Sequence, residues 1–289
     1  MNMTQAPSEF HAVFDQTKPR DAFYRFLQVV FHLYPEDKFH HLIGEVTKTE
    51  TSDERIYKTI QNRLPSIKPF LSELTYSLPA LKVQKREMTR QTLELLPQNT
   101  IINGYVEIGS PGRYISDLRK HMSINRPVYL INDVAPSNSP ADIMERGQLS
   151  KLGTFIDLND YAPIDSSAIS DASVDLVTCF IGLHHARPEK LTGFIGSIHR
   201  ILRPGGWFIL RDHDVKNPDM ATFVSLVHTV FNLGLNISWE TDQQDYKAFK
   251  PIDEWSRIVT EAGFTDAGKR LLQANDPSDN TLVLFTKNQ

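Results

Sequence analysis

The sequence predicts an α/β domain with a largely parallel sheet, preceded by an all-helical N-terminal region. Three observations indicate this. The first hundred residues show apolar residues at helical spacing and no long alternating stretch. From Asn103 onward, short apolar runs alternate with helical patterns, which is typical of strand–helix–strand units. The last two apolar runs, 267–273 and 281–287, are joined by a short turn-rich segment and therefore predict an antiparallel pair.

Composition limits the classes of function. The chain has 289 residues, with 31 Lys and Arg against 35 Asp and Glu, so its formal net charge is −4. This balance argues against non-specific binding to nucleic acid, which needs a concentrated basic surface. The single cysteine, Cys179, excludes an internal disulfide and a cysteine-rich zinc site, and it fits a reducing compartment. No apolar run approaches 18 residues, so we expect a cytoplasmic protein with no membrane or nucleic-acid partner.

The N-terminal region predicts a series of amphipathic helices. The first helix should end at Pro35. A capping-box spacing at Thr51–Glu54 should open a second helix, which we expect to break near Pro65. The apolar stripe of the first helix consists of Phe23, Phe26, Leu27, Val30, Phe31 and Tyr34.

Two further helices, over residues 66–78 and 80–96, should be separated by Pro79. We therefore divide the chain into a helical cap, residues 1–97, and an α/β domain, residues 98–289.

The α/β domain shows five strand-like runs before its closing hairpin. Each run ends at or near a residue with an acidic or imidazole side chain, and these residues lie 24 to 28 positions apart, about one strand–helix–strand unit. Ligands of open α/β sheets bind beyond the carboxyl ends of the strands, so we expect these side chains to share one crevice. The runs are 104–109, 128–133, 153–157, 174–182 and 207–212, and the residues are Glu107, Asp133, Asp157, His184 and Asp212.

Two helices should follow the fifth strand. Apolar spacing places one around Phe223 and Val230, and the other around Trp255, ending at Gly263.

The first strand is followed by a glycine-containing turn that leads into a helix. Such a turn lets a ligand approach bare backbone at a helix N-terminus. Because Glu107 precedes Gly109, the carboxylate disfavours a phosphate and suits a ligand with a positive amino group. An ordinary tight turn would show the same pattern.

Two more acids complete the predicted ligand site. Asp133 follows the second strand, where a carboxylate accepts hydrogen bonds from ribose hydroxyls, although a helix N-cap explains it equally well. Asp157 ends the third strand and suits an adenine amino group. Together, the ordered and evenly spaced acids predict a site for a nucleoside that also carries an amine.

These segments resemble class I S-adenosylmethionine-dependent methyltransferases, especially the branch that acts on small molecules. The most specific segment is RILRPGGWFIL, because these enzymes carry L-x-P-G-G before the fifth strand. The resemblance implies a Rossmann-like seven-stranded sheet with a terminal antiparallel strand, S-adenosyl-L-methionine as cofactor and a small-molecule methyl acceptor. It covers roughly residues 100–289, and its matching segments are 106–113, 131–136, 155–163, 173–185 and 198–214.

The resemblance also implies roles for single residues. The first-strand acid lies near the cofactor's amino group, the turn lies under its amino-acid moiety, and the next two strand ends hold its ribose and adenine. The cofactor-binding residues implied are Glu107, Gly109, Ser110, Pro111, Gly112, Asp133, Val134, Asp157, Leu158 and Phe180. Pro111 stands where the family has a glycine, which motivates an alternative: a module that binds the cofactor without catalysis. A nicotinamide oxidoreductase is disfavoured because G-x-G-x-x-G is absent.

The histidines after strands four and five allow three roles. We assign His213 and His185 as candidate catalytic bases, with Asp212 or Asp214 orienting the imidazole of His213. A mononuclear metal site and a purely structural role stay open, and we assign no resident metal. Cys179 is expected in the core. The acceptor, its reacting atom and the oligomeric state are not identified by the sequence.

Overall fold

A computed structural model describes residues 8–288, except residues 32, 69–77, 140–141, 144–145, 148 and 151. The chain forms two compact units. A helical unit comprises Met1–Ala80, Val215–Phe249 and Ala274–Asp279, and a sheet unit comprises Leu81–Asp214, Lys250–Gln273 and Asn280–Gln289. The helical unit is therefore discontinuous in sequence. Its first segment ends at Ala80, whereas the sequence predicts a boundary at residue 97.

The described residues of the sheet unit form one seven-stranded sheet. The strand order is β3-β2-β1-β4-β5-β7-β6. Strands β1 to β5 pair in parallel, whereas β7 runs antiparallel to both β5 and β6. This confirms the predicted fold class. The strands are β1 (Ile101–Ile108), β2 (Ser123–Asn132), β3 (Thr154–Asp157), β4 (Val174–Cys179), β5 (Leu202–His213), β6 (Phe264–Leu272) and β7 (Asn280–Lys287).

Helices cover both faces of this sheet, because side chains that alternate along each strand enter two separate cores. One core joins Val106 and Phe208 to the helix that carries Ile195. The other joins Tyr105 and Ile209 to the helices on the opposite face. The helices of this unit are α5 (Leu78–Leu95), α6 (Ile115–Leu118), α7 (Pro188–Ile201) and α10 (Ile252–Glu261). Helix α5 departs from the predicted boundary because its residues Met88 and Leu95 pack in the second core, together with Leu96, which follows the helix.

The helical unit has a core of its own, rich in phenylalanine. Residues 215–249 belong to it because the apolar face of their longest helix packs against the N-terminal helices. For example, the rings of Phe23 and Phe223 meet edge to face at 5.9 Å. Its helices are α1 (Glu9–Phe14), α2 (Thr17–Phe26), α3 (Glu36–Thr49), α4 (Asp53–Ile67), α8 (Pro218–Gly234) and α9 (Trp239–Gln244), with a π-helical turn at Leu27–Phe31.

Several local predictions for this region need correction. The first apolar stripe continues through the π-helical turn instead of forming one α-helix that ends at Pro35. Ser52, not Thr51, caps α4 by accepting a hydrogen bond from the Arg55 N–H. Pro65 lies inside α4, near its end. The predicted helix over 66–78 falls largely outside the described residues.

In the part of the chain that the structure describes, no helix combines the length and apolar character needed to cross a lipid bilayer.

Candidate active site

Glu107 lies near the end of β1 and is 1% exposed. Its carboxylate accepts four hydrogen bonds: from the Ser110 hydroxyl, from the Tyr105 hydroxyl at 3.1 Å, and from the backbone N–H groups of Tyr114 and Ile115 at 3.2 and 2.9 Å. Burial raises the pKa of this carboxyl, and these hydrogen bonds oppose the rise. Glu107 therefore binds the turn that follows β1 and fixes its shape.

The turn after β1 has the conformation that its glycines permit. Gly109 and Gly112 have φ values of 82° and 96°, a left-handed region that other residues rarely adopt. A Cβ at Gly109 would lie 2.0 Å from Cδ1 of Ile181, so a side chain here would displace that of Ile181. The turn is thus held closely against the segment that follows β4.

Pro111 does not disturb the hydrogen bonds of this turn. Ser110 is buried, and its hydroxyl oxygen accepts from the N–H groups of Gly112 and Arg113 at 3.3 and 3.0 Å. The Gly109 N–H donates to the carbonyl of Ile131 at 2.7 Å. Because Ser110 and Glu107 accept from the residues after Pro111, the lost N–H of proline leaves this network intact.

The predicted ribose and adenine acids lie on adjacent strand ends. Asp133 directly follows β2, and Asp157 is the last residue of β3. Asn132, the residue before Asp133, pairs with Asp157 in the parallel ladder. The carboxylates of Asp133 and Asp157 are both exposed. Partial desolvation, together with the negative charge of Asp157, raises the pKa of Asp133. This electrostatic coupling indicates that the two acids face one region at the carboxyl edge.

Apolar groups and strained backbone accompany these two acids. Val134 is 70% exposed, while Leu158 is buried. After Leu158, the residues Asn159, Asp160 and Tyr161 all have positive φ, and Asp157 accepts from the Asn159 N–H at 2.9 Å. Three consecutive non-glycine residues with left-handed backbone angles store strain, and such strain is commonly retained at ligand sites. A cavity of about 380 Å³ is lined by Ile131, Ile156, Asp157, Leu158, Asn159, Ala162, Pro163, Ile164, Asp165 and Phe194.

A buried acid connects the carboxyl ends of β4 and β5. Asp212 accepts from Nδ1 of His184 at 2.8 Å and from the N–H groups of Leu183 and His213, each at 2.8 Å. Burial raises the pKa of Asp212 to about 6, against the influence of these donors and the nearby histidines. The sequence predicts His184 and Asp212 at this edge, but their pairing is visible only in the folded structure.

The rings of the two candidate bases both lie close to the ring of His184. The His184 ring centroid is 4.4 Å from that of His185 and 5.6 Å from that of His213. Asp214 accepts from the N–H of Ile252 at 2.9 Å and so contributes to the start of α10. The sheet unit therefore groups both predicted bases around a third histidine whose orientation a carboxylate fixes.

Phe180 and Cys179 lie in the interior. Phe180 is 1% exposed, and its ring packs edge to face against Tyr114 at 4.8 Å. Cys179 is fully buried, as expected, and burial raises the pKa of its thiol to about 12. The thiol is therefore not a nucleophile at neutral pH.

The chemistry of these groups fits a nucleoside that carries an amino acid. Exposed carboxylates at Asp133 and Asp157 suit hydroxyl and amino donors, and the exposed side chain of Val134 offers apolar surface beside them. The turn at Gly109–Gly112 carries no side chain at two of its four positions. The carboxylate of Glu107 hydrogen-bonds within the turn, and its predicted proximity to the cofactor's amino group stays a prediction.

Part of the chain is similar to known methyltransferases. Residues 136–210 match the family model described as a methyltransferase domain. A stretch of 106 residues is 30% identical to an uncharacterized methyltransferase of Synechocystis sp., covering 35% of this chain and 43% of that protein. The matched stretch thus spans less than half the length of that curated relative.

Solved methyltransferase structures are also similar to this chain. The 1,6-didemethyltoxoflavin-N1-methyltransferase of Burkholderia thailandensis, solved with S-adenosylhomocysteine, is 15% identical, with 73% of this chain and 79% of that chain covered and a TM-score of 0.46. The N-methyltransferase NodS of Bradyrhizobium japonicum, in complex with the same compound, is 18% identical, with 71% and 87% covered and a TM-score of 0.47.

Proposed function

We propose that this chain, which carries a methyltransferase domain of the class I S-adenosylmethionine-dependent family, transfers a methyl group from S-adenosylmethionine to a small-molecule acceptor. The observation that supports this most is the pair of exposed carboxylates, Asp133 and Asp157, on adjacent strand ends of the seven-stranded sheet. The domain match spans residues 136–210 and so covers β3, β4 and most of β5.

The cofactor, when bound, supplies a methyl group that is already activated by a sulfonium. Asp133 would accept hydrogen bonds from its ribose hydroxyls, and Asp157 and Leu158 would hold its adenine. Glu107 acts on the cofactor indirectly, because its four hydrogen bonds fix the turn at Gly109–Gly112. The work of the protein is then to align the reactants, exclude water and, where the acceptor needs it, remove a proton.

The histidines provide the proton acceptor in this proposal. Asp212, when ionised, can only accept, so Nδ1 of His184 carries the proton and Nε2 is its basic nitrogen. The rings of His185 and His213 lie close to that ring, and we assign these two residues the removal of the acceptor's proton, as the sequence predicts. We assign the ring of His184, which lies close to both, the role of positioning them.

We further propose that the helical unit covers the bound acceptor. Chain connectivity supports this: β5 ends at His213, and the chain enters the helical unit at Val215. Hydrogen–deuterium exchange tests the idea, since covering predicts slower exchange in peptides from 8–31 and 218–234 once S-adenosylhomocysteine and acceptor are bound. Unchanged exchange in these peptides would contradict it.

The activity itself is tested by calorimetry combined with a product screen. Purified protein should bind S-adenosylmethionine and release S-adenosylhomocysteine with at least one member of a panel of small carboxylic acids, phenols and amines. Binding without product across the panel would favour the non-catalytic module. Absence of binding would contradict the proposal.

A further inference from the structure

Arg211 is a buried cation on β5, one residue before Asp212, and 8% of its surface is exposed. Its Nη1 donates to the carbonyl of Phe180 at 3.3 Å, and its Nη2 donates to Oε1 of Gln273 at 3.4 Å. Both bonds are long, and both acceptors are neutral. Its Nε is buried and has no hydrogen-bond partner in the described structure.

Two other arginines of the same unit illustrate pairing with a carboxylate. Arg203, at the opposite end of β5, lies 2.7 Å from Asp175, and Arg270 lies 2.6 Å from Asp266. A buried charge that lacks an opposite charge is costly, whereas an exposed one is not. Arg211 therefore combines the deeper burial with the poorer set of partners, which points to an anion that arrives with a ligand.

The position of Arg211 points to the acceptor as the source of that anion. Phe180 is the first residue after β4, and Gln273 directly follows β6, which runs parallel to β5. The guanidinium therefore lies at the carboxyl edge, on the residue two positions before His213 in β5. Strand β4 separates β5 from β1, so Arg211 and the turn at Gly109–Gly112 are about 10 Å apart in the sheet.

We propose that Arg211 binds a carboxylate group of the methyl acceptor, so that the acceptor belongs to the class of small organic acids. The proposal rests on the methyltransferase function proposed above. A guanidinium presents Nε and an Nη as two parallel donors, which match the two oxygens of a carboxylate. Such an acceptor would neutralise the buried charge and would place its reacting atom within reach of the histidine cluster.

The test uses the full-length protein saturated with S-adenosylhomocysteine, with acetate as the probe. At constant ionic strength, acetate should raise the melting temperature of the wild type in a saturable way, and acetamide should not. Arg211→Met should abolish this response, and Arg211→Lys should raise the half-saturation concentration by about tenfold or more, because a lysine lacks the planar pair of donors. Arg203→Met is the matched control and should keep the acetate response.

Three outcomes would overturn the proposal. One is an equal acetate response in the wild type and Arg211→Met. Another is a tenfold or greater loss of S-adenosylhomocysteine affinity in Arg211→Met with 5′-methylthioadenosine affinity unchanged, which would assign Arg211 to the cofactor's own carboxylate. The third applies if Arg211→Met does not fold: Arg211→Lys would then show the same half-saturation concentration for acetate as the wild type. If the wild type does not bind S-adenosylhomocysteine, the proposed function fails, and acetate binding to the unliganded protein still tests Arg211.

Discussion

Nδ1 of His184 lies 2.8 Å from Oδ1 of Asp212, and this pair joins the carboxyl ends of β4 and β5 with both side chains buried. The same carboxylate also accepts hydrogen bonds from the N–H groups of Leu183 and His213. One acid thus fixes both segments that carry the candidate bases. Its loss should affect catalysis and folding together, and the effect should depend on pH.

The burial of Asp212 predicts a specific dependence of stability on pH. Its pKa is about 6 in the folded protein, above its ordinary value of 3.8. Between these values the folded state holds a proton that the unfolded state has released, so the wild type loses stability as pH rises through this window. In Asp212→Asn the side chain at this position does not titrate. The free energy of unfolding of the wild type minus that of Asp212→Asn should therefore fall between pH 4 and pH 7, by up to about 3 kcal/mol.

Urea denaturation of both proteins at intervals of pH measures this difference. A difference that grows with pH would contradict a carboxyl whose pKa is raised by burial, and would indicate a dominant ion pair with a protonated His184.

Removal of a candidate base should reduce turnover far more than it reduces stability. A positioned general base typically contributes about 10²–10⁴-fold, so His213→Ala should lower kcat by that order and leave S-adenosylmethionine affinity unchanged. Turnover is measured on the acceptor found in the product screen, with His121→Ala, an exposed histidine, as control. A loss of under tenfold that accompanies a lower melting temperature would assign His213 a structural role. Activity that chelators remove and one divalent ion restores would favour a metal ligand.

Glu107→Gln tests whether this acid shapes the turn after β1 or contacts the cofactor directly. A glutamine side chain replaces one accepting oxygen by a donor, so at least one of the four hydrogen bonds is lost in a buried place. We expect a loss of about 1–3 kcal/mol in the free energy of unfolding, together with weaker cofactor binding. Weaker binding with unchanged stability, by calorimetry and denaturation, would instead indicate direct contact.

Gly182 should be indispensable for the arrangement of His184 and Asp212. It has a φ of 86°, and a Cβ there would lie 2.5 Å from Nδ1 of His184 and 2.7 Å from Oδ2 of Asp212. Gly205 has a similar φ of 76° but open space around it, so it controls for backbone strain alone. Gly205→Ala should cost about 1–2 kcal/mol. Gly182→Ala should cost clearly more and abolish turnover, and equal losses in the two variants would refute the contact.

The sequence predicts the sheet well because each strand is a contiguous pattern, but strand ends depend on neighbours. The run predicted over 174–182 ends as a strand at Cys179, since Gly182 and its neighbours turn to meet Asp212. Strand β5 begins at Leu202, before the predicted 207, because Leu202 pairs with Val174 across a register shift. The helical boundary is likewise set by distant contacts, such as those of Phe223 with the N-terminal helices.

The site was predictable in position but not in pairing. Strand topology alone brings Asp133, Asp157, His184 and Asp212 to one edge. Which imidazole donates a hydrogen bond to the Asp212 carboxylate depends on the path of the loop after β4. Residue spacing does not determine that path. The isolation of Arg211 from carboxylates is likewise a tertiary property, since its neighbour in sequence is itself an aspartate.

Calorimetric titration of S-adenosylhomocysteine into the wild type and Asp133→Ala tests the proposed cofactor site most directly. The wild type should bind one equivalent, and Asp133→Ala should bind at least about tenfold more weakly, because a hydrogen bond to a charged group contributes about 1.5–3 kcal/mol. Asp253→Ala, which removes a highly exposed acid of α10, should bind like the wild type. Equal affinity of the wild type and Asp133→Ala, or no binding by the wild type, would contradict a cofactor site at this edge of the sheet.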